Sequence, residues 1–384
     1  MSTRKLLLVT EYFWPDQAST GRLLSDLMAY LKRAHSSWTI DVVTTRRVYR
    51  GYATGLLPKV EVWEGIRIRR LASFRRSESD SFLRRILGDL VFSVQSAIHT
   101  AISYYDVVLL VTNPPVMPMI VSIMSAIRKQ RVLYIIHDLY PDVPVALGLL
   151  GADSLVARTL RWLQNYALTR ARRIVVLGRC MREHLESVYR IESGKVEVIP
   201  NWSTFAPRLS GRTRSNSTFR VVYSGNIGQF QDFEVILMGA ELLREYPAIQ
   251  FYIIGDGARA HWLRQEVNRR GLVNVTLRPF LPDWEFHQML SETHLGLVTL
   301  ERGMEGLGVP SKAYNLLAMG VPLLAILDDR SEVARIIAEH GVGYRIDHGD
   351  AKTLANCITD AYSNRDKWME MSKRALAYAK SEAT

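Results

Sequence analysis

Short apolar runs alternate with helical patterns along almost the whole chain. Runs at 5–10, 39–45, 106–112 and 131–136 have the length and continuous hydrophobicity of strands that are buried on both faces. Between such runs, apolar residues recur every three or four positions, as they do over 23–31. This alternation predicts parallel sheets covered by helices on both faces, which is an α/β fold.

The pattern is interrupted by a polar stretch rich in Ser and Arg. Residues 203–218 carry no hydrophobic periodicity and predict a linker, after which a second α/β series begins. A chain of 384 residues also exceeds what one hydrophobic core usually supports. We therefore predict an N-terminal domain at 1–202, a second domain at 219–365, and a C-terminal helix at 366–384 that is able to pack back on the first domain.

One helical segment, 81–103, has a wide apolar stripe. Arginines crowd its N-terminal end, at Arg75, Arg76, Arg84 and Arg85. We expect the stripe to pack on the sheet of its own domain, with the arginines and Lys59 able to face lipid. The alternative is a helix that lies on an anionic bilayer, as amphipathic helices with basic ends do. The stripe consists of Phe82, Leu83, Ile86, Leu87, Leu90, Val91, Val94, Ile98, Ala101 and Ile102.

Composition narrows the class of protein. Lys and Arg number 49 against 38 Asp and Glu, a net charge of +11 that favours an anionic partner such as nucleic acid, acidic lipid or nucleotide phosphate. Cys180 and Cys357 lack the spacing of a metal or disulfide framework and indicate reduced thiols in a cytoplasmic protein. No apolar run is long enough to predict a membrane span, and the N-terminal run indicates a buried strand, not a signal peptide.

The stretch 303–322, GMEGLGVPSKAYNLLAMGVP, has the pattern of a phosphate-binding turn that leads into a helix. Gly303, Gly306 and Gly308 permit a close approach of backbone to ligand. The amides at the start of the helix carry partial positive charge, and Lys312 adds a full charge beside them. The alternative is an ordinary junction between a loop and a helix in an α/β sheet.

A second candidate site follows the strand at 131–136, where His137 and Asp138 stand at its end. Ligands of open α/β sheets bind beyond the carboxyl ends of strands, so His137 is placed where chemistry occurs. A hydrogen-bonded structural histidine is the alternative. The GxGxxA pattern at Gly255 lacks the acidic residue that a dinucleotide site has about 20 positions later, and no metal motif or DxD pair occurs.

Taken together, these motifs resemble a known family. Two Rossmann-like halves joined after IPNW, the pair HD, the turn YSGNIG, IGDG and GLGVPSKAYNLLAMGVP are similar to the retaining GT-B glycosyltransferases of family 4. Within that family they look most like the branch that builds bacterial lipid-linked and extracellular polysaccharides. The match covers nearly the whole chain and implies two Rossmann-like domains that face each other across a cleft.

The resemblance also implies the reaction and its partners. A hexose, of glucose or N-acetylamino-sugar type, would move from a UDP-sugar to a lipid-linked saccharide in cell-surface or extracellular polysaccharide biosynthesis. No metal or cofactor is expected, since the UDP-sugar is a substrate, and no nucleic acid. The protein is expected in the cytoplasm, peripheral on the inner face of the cytoplasmic membrane, where the acceptor lies at an anionic surface.

The family's functional positions map onto this chain as follows. The implied catalytic residues are His137 at the transferred sugar, Glu305 in the turn that holds sugar hydroxyls and phosphate, and Lys312 at the diphosphate. Main chain at 278–281 is expected to pair with the base. The implied donor-binding residues are Gly21, Asn201, Ser224, Gly225, Asn226, Gln231, Gly255, Arg278, Phe280, Leu281, Gly306, Leu307, Gly308, Ser311 and Asn315.

Two pairs of positions depart from the family pattern. Asn226 and Gln231 stand where relatives have an Arg and a Lys that neutralise the diphosphate, so the remaining cations carry more of that charge. The paired glutamates that are spaced E-x7-E in relatives map to Leu307 and Asn315, with Glu305 displaced by two residues. A UDP-sugar 2-epimerase of the same architecture and a catalytically lapsed UDP-sugar binding protein therefore stay open. A nucleic-acid binder would explain the charge but not the phosphate turn.

Overall fold

The computed structural model describes residues 4–48, 56–72, 82–207, 218–229 and 231–382. The chain divides into two compact units, Met1–Ile199 and Pro200–Thr384. Each unit contains a sheet of parallel strands with connecting helices, so the predicted α/β class with two Rossmann-like units is confirmed. The predicted linker at 203–218 lies mostly outside the described residues.

The described part of the first unit forms an eight-stranded sheet in the order β3-β4-β2-β1-β5-β6-β7-β8. Central strands β1 and β5 consist almost wholly of buried Leu and Val, as strands covered on both faces do. The unit's elements are β1 Lys5–Val9, α1 Ser19–Ala34, β2 Thr39–Thr45, β3 Val60–Trp63, β4 Ile66–Leu71, α2 Phe82–Ile102, β5 Val107–Val111, α3 Met117–Ile127, β6 Arg131–Ile136, α4 Asp142–Ala146, α5 Leu155–Arg170, β7 Arg173–Val176, α6 Arg179–Val188, a 3-10 turn Ser193–Lys195 and β8 Val196–Val198.

Two local features of this unit were not predicted from the sequence. Strand β3 pairs antiparallel with β4, so the edge of the sheet is a hairpin. Gly21, an implied donor-binding residue, lies in the first turn of α1. A Cβ at Gly21 would lie 3.2 Å from the carbonyl oxygen of Asp16 and 3.3 Å from Cβ of Tyr12, so this glycine lets α1 pack closely on the preceding segment.

Helix α2 presents its apolar stripe to solvent, which contradicts the expectation that the stripe packs on the sheet. Six of the predicted stripe residues are between 43% and 75% exposed, and we call them the outer stripe: Ile86, Leu87, Leu90, Val94, Ile98 and Ile102. The buried side combines Phe92 with small side chains, including Ser93, Ser96, Ala97 and Thr100. The prediction failed because α2 packs along α3, where small residues allow close contact between helices.

The described residues 218–229 and 231–382 form a six-stranded parallel sheet in the order β11-β10-β9-β12-β13-β14. The elements of this second unit are β9 Phe219–Ser224, α7 Phe233–Leu242, β10 Ile249–Ile254, α8 Ala260–Arg269, β11 Val275–Arg278, α9 Asp283–Glu292, β12 Leu295–Thr299, α10 Lys312–Ala318, β13 Leu323–Ile326, α11 Glu332–His340, β14 Gly343–Ile346, α12 Ala351–Ser363 and α13 Arg365–Glu382.

Helix α13 is anchored to the second unit by a buried tryptophan. Indole Nε1 of Trp368 donates to the carbonyl oxygen of His294 at 2.8 Å, and the Ser372 hydroxyl donates to the carbonyl oxygen of Gly320 at 2.6 Å. The helix also packs against α10 and α12. Burial of the Trp368 ring with its N–H satisfied makes α13 part of this unit's core. The idea that α13 also packs back on the first unit stays a prediction.

Candidate active site

The carboxyl ends of three adjacent strands, β10, β9 and β12, bring several predicted donor-binding residues together. Ser224 ends β9 and is followed by Gly225 and Asn226, while Gly255 follows β10. The segment after β12 leads to Lys312 at the start of α10. In a parallel sheet these ends lie at one edge, which is where open α/β folds bind ligands.

The turns after β9 and β10 touch through their backbones. Gly225 and Gly255 have φ of +144° and +155°, and a Cβ on Gly255 would lie 1.9 Å from the carbonyl oxygen of Gly225. The Gly225 amide donates to the carbonyl oxygen of Ile254 at 3.0 Å. Only glycine fits such an approach at 255, and the positive φ of Gly225 favours glycine there as well.

The two amides at the family's charged positions hold this turn in shape. Gln231 is buried, and its Oε1 accepts a hydrogen bond from the Gly228 amide at 2.9 Å. The Asn226 side chain lies against Gly228 and Gly257. A Cβ added at Gly228 would lie 2.6 Å from Nδ2 of Asn226, and one added at Gly257 would lie 2.5 Å from its Oδ1. Asn226 and Gln231 therefore fill the space between two glycine turns and bring no charge.

Lys312 lies beside the same turn. Its Nζ is 3.7 Å from the centroid of the Tyr223 ring, a cation–π contact, and a Cβ on Gly225 would come within 2.9 Å of that nitrogen. The Tyr223 hydroxyl in turn donates to the carbonyl oxygen of Asn226 at 2.6 Å. Because α10 has only seven residues, the charge on Lys312 matters more here than the helix dipole that the sequence suggested.

The predicted phosphate turn adopts the backbone that its glycines permit. Gly303 and Gly306 have φ of +79° and +75°, and the Leu307 amide donates to the carbonyl oxygen of Met304 at 3.2 Å. The side chain of Leu307 is buried, so this residue offers a ligand its backbone alone. The pKa of the half-buried Glu305 is raised, mainly by burial and secondly by the negative charge of Asp328.

A histidine that the sequence reading missed links this turn to α7. His348 follows β14 and lies 3.5 Å from a carboxylate oxygen of Asp232 through Nδ1 and 3.5 Å from one of Asp328 through Nε2. Asp328 accepts a hydrogen bond from the Gly303 amide at 2.8 Å, and Asp232 caps α7 by accepting from Val235. His348 stands just beyond a strand end, the same signal that pointed to His137.

Arg259 is a second cation near the turns that was not predicted. Its Nη1 donates to the carbonyl oxygen of Gln231 at 3.2 Å and lies 3.7 Å from a carboxylate oxygen of Glu301. Its guanidinium stacks on Trp262 at 4.0 Å. The pKa of Glu301 is raised, mainly by burial and secondly by the negative charge of Asp232. Arg259 is thus a candidate for one of the remaining cations that carry the charge absent at 226 and 231.

The strand end that was predicted to meet the base is built by β11. The carbonyl oxygen of Arg278 accepts from the Gly255 amide at 2.9 Å, and its guanidinium pairs with Glu285 at 2.7 Å. Phe280 is 40% exposed. Leu281 packs against the small cluster that contains Ile254.

Asn315, Asn201 and Ser311 lie around α10 and the start of the second unit. Oδ1 of Asn315 accepts from the Ser203 hydroxyl at 3.1 Å and from the Thr204 amide at 3.2 Å. Asn201 is buried, and Ser311 directly precedes α10. The oxygen of Asn315 therefore already joins α10 to the segment at 203–204.

His137 stands in the first unit, directly after β6. Its amide and that of Asp138 donate to the Thr112 hydroxyl at 3.2 and 3.3 Å. Nε2 of His137 is buried and has no hydrogen-bond partner among the described residues. Burial lowers the pKa of His137 to about 4 and raises that of Asp138 to about 6. His137 therefore presents a neutral imidazole with one unused nitrogen at a strand end. Such a ring is suited to hydrogen-bond an uncharged ligand.

Two whole-chain features bear on the class of site. Over the described residues, no three His, Cys, Asp or Glu side chains gather as a metal site. In that same part of the chain, no helix combines the length and hydrophobicity needed to cross a bilayer.

Comparison with protein families assigns both units. The glycosyl transferase 4-like domain matches residues 20–202, and the glycosyl transferases group 1 domain matches residues 211–380. Among curated proteins, the probable glycosyltransferase WbjE of Pseudomonas aeruginosa is 29% identical over 370 residues, covering 93% of this chain and 89% of its own length. The putative colanic acid biosynthesis glycosyl transferase WcaI of Escherichia coli is 27% identical over 212 residues, 52% of this chain and 51% of its own.

Solved structures share the architecture at low identity. Sucrose-phosphate synthase from Thermosynechococcus elongatus aligns with a TM-score of 0.76 at 15% identity, over 99% of this chain and 94% of that one. HepE of Anabaena, in complex with UDP, aligns with a TM-score of 0.68 at 14% identity, over 99% and 95%. These likenesses confirm the predicted GT-B fold. With both domain families matched in order along the chain, the protein belongs to the GT-B glycosyltransferases of family 4.

Proposed function

We propose that this glycosyltransferase moves a hexose, of glucose or N-acetylamino-sugar type, from a UDP-sugar to a lipid-linked saccharide, with retention and without a metal. The observation that carries the proposal is the Lys312 ammonium, held over the Tyr223 ring beside the Gly225 backbone. A cation against a glycine-lined turn at a sheet edge suits a diphosphate.

The relatives support the choice of donor and pathway. HepE was solved with UDP bound, and WcaI is described as acting in colanic acid biosynthesis. Both share the fold or the family with this chain, which favours a uridine nucleotide and a polysaccharide product. Phe280 and the backbone at 278–281 are proposed to meet the base.

In the proposed reaction, the bond from the sugar's anomeric carbon to the diphosphate breaks while a bond to the acceptor oxygen forms on the same face. The acceptor's proton passes to a leaving phosphate oxygen. Lys312, the amides of Gly306 to Gly308 and Ser311 stabilise the charge that develops on UDP, as preorganised donors do. Glu305 is assigned to the sugar hydroxyls.

His137 is assigned to the transferred sugar. Because burial lowers its pKa to about 4, its ring is neutral at physiological pH and contributes a hydrogen bond without repelling the positive charge that develops on the sugar. Its buried, unused Nε2 is the atom available for that bond.

Two experiments test the proposal. Thermal-shift screening of UDP, GDP, ADP and their sugars identifies the nucleotide, because a ligand that binds only the folded protein raises its apparent stability. Incubation of the preferred sugar nucleotide with bacterial lipid-linked saccharides, with and without EDTA, should then release UDP and yield a product whose anomeric configuration matches the donor's.

Each rival gives a different result. An altered sugar nucleotide formed without acceptor would identify a 2-epimerase. Tight UDP binding with no transfer to any acceptor would identify a lapsed enzyme, and loss of transfer in EDTA would exclude the metal-free mechanism.

A further inference from the structure

The loop that carries His137 is fixed at both of its ends. At the start, the Thr112 hydroxyl accepts hydrogen bonds from the amides of His137 and Asp138. At the other end stands Asp142, the first residue of α4 and a residue of the IHDLYPD motif that takes no part in the proposed reaction. Helix α4 has five residues, too few for a helix to be stable by its own hydrogen bonds. The position of the loop 137–141 therefore depends on what holds Asp142.

Asp142 is held by side chains from α5 and α6. Its Oδ1 accepts from Nη2 and Nε of Arg161 on α5 at 3.1 and 3.3 Å. Its Oδ2 accepts from the hydroxyl of Tyr189, the residue after α6, at 2.8 Å and from Nε2 of His184 on α6 at 3.2 Å. Asp142 is 7% exposed, so these bonds lie largely out of water. One carboxylate thus joins the short α4 to two longer helices.

This network keeps Asp142 ionised. Burial opposes ionisation, but hydrogen bonds from His184, Tyr189 and Arg161 outweigh it and hold the pKa of Asp142 below its usual value. An ionised carboxylate is an acceptor only, so all four bonds are donated to it. An alanine at 142 would remove the four bonds together and leave the donors of α5 and α6 to water. Helix α4 would then lose its attachment to both.

We propose that Asp142 is a positioning residue, which fixes the loop 137–141 and so keeps the His137 ring buried at the end of β6. The proposal rests on the proposed role of His137 at the transferred sugar. A displacement of about 1 Å in a group that meets the reacting centre can cost a factor of about 100 in rate. Asp142 acts through His137 and is assigned no contact with either substrate.

Asp41 offers a matched control in the same unit. It is 5% exposed, and its carboxylate accepts from Nε of Arg67 at 3.0 Å and from the Tyr105 hydroxyl at 2.9 Å. Asp41 and Asp142 thus share the same kinds of partner, an arginine and a tyrosine. Arg67 and Tyr105 lie near the amino ends of the parallel strands β4 and β5, at the edge of the sheet opposite to His137. A variant of Asp41 therefore reports the loss of a buried ion pair without a change at the edge where His137 lies.

The test measures the surroundings of the His137 ring by NMR. The full chain is labelled in its histidine side chains, the His137 signal is identified by its absence in His137→Gln, and the ring is titrated in wild type, Asp142→Ala and Asp41→Ala. We expect the pKa of His137 to rise from about 4 to about 5 or above in Asp142→Ala, because water then reaches the ring. In Asp41→Ala it should stay unchanged. Urea unfolding should show a similar loss of stability in both alanine variants.

Initial rates supply a second measurement. With saturating acceptor, Asp142→Ala should lower kcat about tenfold or more and change the KM for the sugar nucleotide by less than about threefold, since the proposed donor-binding turns of the second unit are untouched. Asp41→Ala should change neither. Tyr189→Phe removes one of the four bonds and should have a smaller effect in the same direction. It serves with Tyr105→Phe as its control if the alanine variants fail to fold.

A His137 ring that titrates alike in wild type and Asp142→Ala overturns the proposal, and so does an equal change in Asp142→Ala and Asp41→Ala. The NMR comparison needs no substrate, so it decides on Asp142 even if the wild-type chain transfers no sugar. A raised pKa of His137 together with an unchanged kcat would support Asp142 as the anchor of the loop and refute the contact between His137 and the sugar.

Discussion

The Lys312 ammonium lies over the Tyr223 ring, close to Gly225, and no neutral side chain reproduces its charge. Lys312→Ala should lower turnover by about 100-fold, because a charge contact to the departing diphosphate is lost in the transition state. Initial rates with saturating acceptor measure this. Lys352→Ala, an exposed lysine of α12, is the control and should leave the rate unchanged. A Lys312→Ala rate within a few fold of wild type would remove this residue from the mechanism.

The side chain of Asp138 leads to a prediction about how stability depends on pH. Burial raises its pKa from 3.8 to about 6, so the folded protein binds this proton more tightly than the unfolded chain. Its contribution to stability is complete below pH 3.8 and is lost as the pH rises through about 6. Asp138→Asn should therefore gain stability over wild type with rising pH, reaching up to about 3 kcal/mol at pH 7.

Urea unfolding of both proteins between pH 4 and pH 7 measures that difference. Asp153→Asn, at an exposed carboxylate before α5, should show no such trend. A difference between Asp138→Asn and wild type that stays constant across the range would show that the carboxyl is not destabilised by burial.

At the scale of the elements, the turns after β9 and β10 pack directly against each other through their backbones. A Cβ at Gly255 would overlap the carbonyl oxygen of Gly225, and no flexible side chain is there to move aside. Gly255→Ala should lose several kcal/mol of stability and most UDP binding. Gly271→Ala is the control, since it also has positive φ, of +59°, with nothing within 4 Å of the new Cβ. It should cost about 1 kcal/mol and leave UDP binding intact.

Thermal unfolding with and without UDP separates these outcomes. Equal losses in the two glycine variants would mean that backbone conformation, and not contact between the turns, determines the choice of glycine.

The β14 to α12 loop positions the phosphate turn through His348. His348→Gln should let Asp232 and Asp328 repel each other without the ring between them, and so displace the Gly303 amide that Asp328 holds. We expect the KM for the sugar nucleotide to rise about tenfold with a smaller fall in kcat, because a displaced binding group weakens donor positioning. His261→Gln, at an exposed position of α8, is the control. A change in kcat alone would place His348 elsewhere in the mechanism.

The sequence predicts the features that depend on local interactions and misses those that depend on contacts between distant segments. The order of strands and helices follows from local pattern, and so does the turn at 303–308, where Gly303 and Gly306 adopt positive φ. Phosphate binding by this turn stays a prediction. The exposure of the outer stripe of α2 does not follow from local pattern. Hydrophobic periodicity shows which side chains share one face of a helix, but not what that face packs against. The partners of Asn315 and the carboxylates around His348 come from segments far away in sequence, so only the folded chain brings them together.

For the molecule as a whole, charge is distributed unevenly between the two units. The first unit holds 28 Lys and Arg and 17 Asp and Glu, a difference of +11, whereas the second holds 21 of each. We expect the first unit, at +11, to be attracted to anionic surfaces over a long range, and the second, at zero, to bind its ligand through short contacts around Lys312. Raising KCl from about 50 mM to about 500 mM should weaken binding to anionic vesicles at least about tenfold, because salt screens exposed charges. The UDP concentration needed for half-maximal stabilisation should change by less than about threefold.

Matched charge reversals show whether this attraction belongs to one unit. Arg128→Glu/Arg158→Glu changes exposed positions of the first unit, at the end of α3 and on α5. Lys352→Glu/Lys373→Glu changes exposed positions of the second unit by the same four charges. Because each cation near an anionic surface contributes about 1 kcal/mol, the first pair should reduce vesicle binding by at least about tenfold and the second by less than about twofold. Equal losses would mean that net charge, and not its placement on the α2 side of the first unit, governs attachment to the membrane.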